Sequence, residues 1–227
     1  MTEEVVAHGP LRAGSPLRTP RAAAAAGIIF SVLLIAVLVL LRVSVPAHAA
    51  VPGAWLTNAR RRSAVAIALN LIPFAGIAFL WFVGVVRDRI GEHEDRFFAT
   101  VFLGSGLLFV GMLFVGAAVA GGLIASQAPS GGVLALGRHV TVLLLNVYAM
   151  RMAAVFTLTT VTIARHTRIV ARWLTIAGLA SALVLLVTAG TVPWIELLFP
   201  AWILALSIDI LVRRSRASAA GNPARPA

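Results

Sequence analysis

Cysteine and lysine are absent from the chain, tyrosine occurs once, and charged residues make up only 12% of its 227 positions. Without cysteine there is no disulfide framework, no thiolate metal site and no thiol nucleophile. Without lysine, the formal net charge of +11 rests wholly on arginine. Those arginines stand at the ends of apolar runs with no interleaved aromatic residues, which argues against a nucleic-acid surface. Arginine in place of lysine, with abundant Ala, Val and Gly, points to the codon usage of a GC-rich bacterial genome. No zinc-binding HExxH helix, Walker A loop or Gly-x-Ser-x-Gly elbow occurs.

What remains is apolar. Hydrophobic residues make up 60% of the chain and charged residues 12%, about half the roughly 25% charged share of soluble domains. Apolar runs of 18 or more residues with few charges read as membrane-spanning helices. Six such spans are expected, over 22–41, 64–86, 97–120 or slightly beyond, 140–164, 169–189 and 192–212. The fold class is therefore all-α, a polytopic integral membrane bundle of six transmembrane helices. Residues 1–21 and 213–227, rich in Pro, Gly, Ser and Arg, read as disordered arms flanking one membrane domain over 22–212. Loops are expected over 42–63 and 127–137, where Pro46, Pro52, Gly53 and Pro129 interrupt the pattern.

Arginine placement sets the orientation. Arg12, Arg18 and Arg21, Arg87, Arg89 and Arg96, Arg165, Arg168 and Arg172, and the four arginines of the tail fall on one side. Arg42, Arg60, Arg61, Arg62 and Arg138 fall on the other. The positive-inside rule then places both termini in the cytoplasm of a bacterial inner membrane. Arg60 to Arg62 are the discordant group, and are expected to snorkel to the headgroups before the second span. A rival reading of the first span as a signal peptide rests on Ala47-His48-Ala49, but its apolar stretch is longer than such peptides carry.

Between the second and third spans, RDRIGEHEDR places eight ionisable side chains in ten residues. Arg87 and Arg89 suit a helix C-terminus, Gly91 a cap, and Glu92, Glu94 and Asp95 the opening turn of the next helix. Glu92 and Arg96 are spaced as an i,i+4 pair. A tight cytoplasmic hairpin accounts for these charges better than a metal site at Glu92, His93 and Glu94, because adjacent residues on a helix do not face one another. No metal or cofactor is expected.

Arg151 falls near the middle of the fourth span, where an arginine costs roughly 2.5 to 3.5 kcal/mol on insertion scales and needs a partner. Counting roughly 1.5 Å per residue from the outer end of each span, Arg151 falls roughly 16 Å deep, Tyr148 roughly 12 Å, Asn70 and Asn146 roughly 9 Å, and Glu196 roughly 6 Å. Tyr148 shares a face with Arg151. Pro73 and Pro200 would kink two neighbouring spans and free the carbonyls of Leu69 and Glu196. The expected ligand-binding residues are Arg151, Tyr148, Glu196 and Asn70, with Glu196 or Asp209 as the acid that answers Arg151. The same set could instead lock helix register with no ligand bound.

In the third span Gly104, Gly111, Ala118 and Ala125 recur every seven residues, a stripe that admits a neighbouring backbone. Gly104-Ser105-Gly106 invites comparison with the serine motif of rhomboid proteases, but Leu103 replaces the first glycine and the last two spans hold no histidine. Trp55, Trp81, Trp173 and Trp194 suit interfacial anchoring, and Trp202 the core. His139 and His166 read as interfacial or solvated.

The run LNLIPFAGIAFLWFVGVVRDRIGEHEDRFFATVFLGSGLLF, Leu69 to Phe109, resembles a segment shared by a family of uncharacterised bacterial six-span membrane proteins. ARWLTIAGLASALVLL and WIELLFPAWILALSIDILV are similar to the end of the same family, which implies the architecture and no activity. The expected function is binding or translocation of a small polar or anionic solute through an intramembrane polar site, without enzymatic activity. The alternative is a scaffold or accessory subunit of a membrane complex, whose arginine-rich ends contact anionic lipid. The partners expected are the lipid bilayer and a second copy or another membrane protein; nucleic acid is not among them. The proline-broken spans, the second and sixth, do not correspond as an inverted repeat would require.

Overall fold

The computed structural model describes residues 20–45, 58–90, 96–126, 131–167 and 171–220; 94% of these are helical and none lies in a strand. The all-α expectation holds. Helix α1 spans Pro20–Ser44, α2 Ala59–Ile90, α3 Arg96–Ala125, α4 Gly131–Val142 and α5 Ala149–Thr167. A π-helical segment, Leu143–Tyr148, joins α4 to α5 without a break. Helix α6 spans Arg172–Thr188, and a 3-10 turn, Ile195–Leu197, leads into α7, Leu198–Ala220. Five stretches are long and apolar enough to cross a membrane: Ala22–Ser44, Ala59–Arg87, Phe97–Ala125, Gly131–Arg165 and Ile195–Arg213. Helix α6, with 17 residues, is apolar but shorter. Such a set of helices is the signature of a membrane-embedded protein.

Several boundaries differ from the sequence reading, each for a local reason. Residues 59–63 belong to α2 because Asn58 caps it, its Oδ1 accepting the Arg61 amide at 3.2 Å. Arg60, Arg61 and Arg62 are accordingly exposed on the first turn of α2. Residues 131–137 are helical despite three glycines, since Gly137 lies so close to Leu123 of α3 that a Cβ there would stand 2.7 Å from the leucine side chain. Close packing of the α3–α4 hairpin overrides glycine's weak helix propensity. Helix α7 continues to Ala220, so 213–220 is not an irregular tail. Pro200 sits in the first turn of α7, where its missing amide interrupts no helical hydrogen bond, so the reason for expecting a kink does not apply there. Pro73 does lie inside α2. The arm 1–19, Ala47-His48-Ala49, Trp55, Gly91, Glu92, His93, Glu94 and Asp95 lie outside the described residues.

Helix α1 packs most extensively against α2 and then α7; α3 meets α5, α2 and α4; α6 meets α5 and α7. Seven fully buried phenylalanines fill the centre: Phe30 of α1, Phe79 and Phe82 of α2, Phe102 and Phe109 of α3, Phe156 of α5 and Phe199 of α7. Phe79 touches five of the other rings, with centroids between 4.7 and 6.4 Å away. Most of these pairs are tilted or edge-to-face, the arrangement favoured by the ring quadrupole. The middle of the bundle is hydrocarbon.

Candidate functional site

The backbone is least regular at the end of the bundle that holds the α6–α7 turn. Gly190 adopts φ +84°, and Trp194, at φ 69°, is the only non-glycine residue with positive φ among the described residues. A left-handed tryptophan is strained, and such strain persists only where surrounding structure fixes it. Here the indole carries the Arg42 guanidinium from the end of α1, whose Cζ lies 6.0 Å from the ring centroid. Gly190 packs against Val147 of the π-helical segment, so closely that a Cβ would stand 2.6 Å from Val147 Cγ2.

The π-helical segment is held from two sides. Its last bond is five residues long, the Ala149 amide donating to the Leu144 carbonyl. Leu145, buried, fills the space left by Gly116 of α3, and Val147 fills that left by Gly190. These contacts also fix depth. Val147 is level with the α6–α7 turn, so Arg151, four residues on, lies only about 6 Å beyond that turn. By the same rise the α3–α4 hairpin at Gly137 stands about 15 Å past it in the opposite direction. Arg151 thus stands nearer the α6–α7 turn than a count from the expected outer span end gives, while remaining near the middle of the apolar stretch Gly131–Arg165. The long helix Gly131–Arg165 extends well past the neighbouring turn.

The four expected ligand-binding residues have different surroundings. Tyr148 is 48% exposed at the end of the π-helical segment, and Arg151, half-buried, follows three residues later. Arg151 makes no ion pair or hydrogen bond among the described residues. Glu196 is 7% exposed within the 3-10 turn and likewise has no hydrogen-bond or ion-pair partner among them. Its carboxylate lies at the start of α7, where the helix dipole favours an anion. Asn70 is exposed, and its Nδ2 donates to the Ala66 carbonyl of its own helix at 2.8 Å. Asp209 pairs with Arg213 at 2.7 Å, so neither candidate acid answers Arg151. Tyr148 and Arg151 are brought to one surface; Asn70 stays on α2, a helix that packs on α1 and α3.

Most other buried hydroxyls are satisfied by their own helix, whereas Ser207 Oγ, buried in α7, has no hydrogen-bond partner among the described residues. Ser105 Oγ donates to the Val101 carbonyl at 2.7 Å within its own helix. Thr157, Thr159 and Thr160 do the same toward Ala153, Val155 and Phe156. The Trp202 indole is buried as expected and donates across the bundle to the Leu174 carbonyl at 3.0 Å. Among the described residues nothing packs against the heptad stripe of α3: a Cβ on Gly104 or Gly111 would meet no atom within 4 Å, and Ala118 and Ala125 are exposed. Gly106 and Gly116 make the intramolecular contacts instead. The sequence reading missed the π-helical segment, which no residue pattern announces. It also missed the phenylalanine centre, which the buried-side spacing of Phe79 with Phe82 and Phe102 with Phe109 could have revealed. No protein-family model, curated protein or solved structure matches the chain.

Proposed function

We propose that this is a non-catalytic, six-span protein of a bacterial inner membrane, with both termini cytoplasmic, that binds an anionic group at Arg151 and Tyr148. The observation that carries the reading is the guanidinium of Arg151, half-buried in an apolar bundle with no acid or hydrogen-bond acceptor from the described chain to compensate it. A membrane-embedded arginine needs a counter-charge, and one that the fold does not supply must come from a ligand. Tyr148, one turn away on the same face, adds a hydroxyl donor. The stretch from Tyr148 to Arg165 and the 17 residues of α6 each correspond to about 26 Å, close to the roughly 30 Å of a hydrocarbon core. That similarity of length supports reading α6 as the fifth of six spans, with Tyr148 at the outer interface. With the centre filled by phenylalanine rings, binding is favoured over passage through the bundle.

Arg151→Met separates a binding site from a helix lock. An arginine held for a ligand leaves an unliganded protein unchanged or more stable when replaced, because an uncompensated charge is removed. An arginine that locks helices costs about 3 to 5 kcal/mol on replacement. Thermal unfolding in detergent without added anions is expected to show an equal or higher midpoint for the variant; a large drop would refute the binding reading. The second reading, an accessory subunit of a membrane complex, is favoured by the outward stripe Gly104, Gly111, Ala118 and Ala125, which the described residues leave uncovered.

A further inference from the structure

The route to Arg151 limits what the anion is. Behind it, Ala149, Met150, Ala153 and Ala154 of the same helix are buried against the bundle, and the rings of Phe156 and Phe199 close the centre. On its open side Tyr148 is 48% exposed, and Leu143, Leu158, Leu183 and Val187 also lie exposed on α5, the π-helical segment and α6. The approach to the guanidinium is therefore lateral and lined by hydrocarbon. A strongly hydrated free anion would shed its water to enter along that face, whereas a ligand with its own alkyl chain would not. Depth agrees: Tyr148 is level with the α6–α7 turn, and Arg151 lies one helical turn further, within reach of a side chain that extends toward the headgroups.

Resting on the anion reading above, we propose that the ligand of Arg151 and Tyr148 is a phosphate-bearing amphiphile of the outer leaflet. Its phosphate accepts from the guanidinium and the phenol, and its chains lie along the exposed leucine and valine side chains of α5 and α6. The π-helical segment contributes by shifting helical register just before Tyr148, and π-bulges recur at functional sites. Leu145 against Gly116 and Val147 against Gly190 hold that register in place, so the site is set before a ligand arrives.

The test uses the full chain in detergent with two probes, dioctanoyl phosphatidylglycerol and inorganic phosphate, and reads the unfolding midpoint and the lipid retained in native mass spectrometry. Dioctanoyl phosphatidylcholine, which has a phosphate but no net charge, serves as a third probe. The expected result is stabilisation and retention of phosphatidylglycerol, with no effect of inorganic phosphate at the same concentration. Arg151→Gln should weaken apparent affinity by about tenfold or more, since a charge-assisted hydrogen bond is worth roughly 1.5 to 3 kcal/mol. Tyr148→Phe should weaken it by a smaller factor, and Arg151→Lys should retain part of it, which guards against a variant that merely misfolds. Equal stabilisation by inorganic phosphate would overturn the amphiphile while leaving the anion reading intact. Equal retention of phosphatidylcholine by wild type and Arg151→Gln would overturn it too, showing detergent-like adsorption. No effect of any probe would overturn both.

Discussion

Gly178 and Gly104 are the same residue on apolar helices, yet they face different surroundings. A Cβ on Gly178 would stand 2.6 Å from both Trp202 Nε1 and Val161 Cγ2, whereas one on Gly104 would meet nothing. Gly178 lets the α7 indole reach the Leu174 carbonyl, so a single missing methyl group joins α5, α6 and α7. Gly178→Val is therefore expected to destabilise the isolated protein by about 1 to 3 kcal/mol through overpacking. Gly104→Val, on the outer face of α3, should change its stability by about 0.5 kcal/mol or less. Unfolding of the two variants in mixed detergent micelles provides the comparison, and equal losses would contradict the packing described. In a membrane complex that uses the α3 stripe, Gly104→Val would act on assembly instead.

At the scale of elements, the sequence made helix positions legible and left their register hidden. Apolar runs bounded by Arg, Pro and Gly mark the spanning helices because lipid leaves the backbone no other partner than itself. Asn58 was legible too, as a capping residue just before a helix, although the arginines that follow drew attention to charge rather than to the cap. Gly131, Gly132 and Gly137 misled for the opposite reason: they suggest a loop when read locally, but close α3–α4 packing uses them in a helix. The six residues of the π-helical segment, LLLNVY, look like ordinary span. Of the candidate site, Arg151 and Tyr148 could be found by polarity alone. Their depth could not, because it depends on Gly190 meeting Val147. A cysteine at position 148 tests that depth directly, since the chain has no other. Membrane-impermeant maleimide added to intact cells should label Tyr148→Cys to an extent comparable with Val192→Cys, exposed in the α6–α7 turn, and should not label Ala154→Cys, which is buried. Protection of position 148 from both sides of the membrane would place it deeper than the contact implies.

At the scale of the molecule, stability is concentrated in the aromatic centre. Phe79 is in contact with Phe30, Phe82, Phe109, Phe156 and Phe199, rings from four other helices and its own. Phe79→Ala is expected to cost on the order of 3 to 5 kcal/mol. Phe97→Ala, whose ring is 66% exposed at the start of α3, should cost about 1 kcal/mol or less. Unfolding in mixed micelles ranks the two, and a larger loss at Phe97 would mean that the core lies elsewhere. The filled centre also has an electrical meaning. A membrane potential does work of about 2.3 kcal/mol per elementary charge moved through 100 mV, but only on charges free to cross the field. Among the described residues, the centre of this bundle is filled by phenyl rings and holds no charged side chain. On the proposed spanning arrangement such a core is an insulator, and changes in voltage are expected to leave the conformation where they found it.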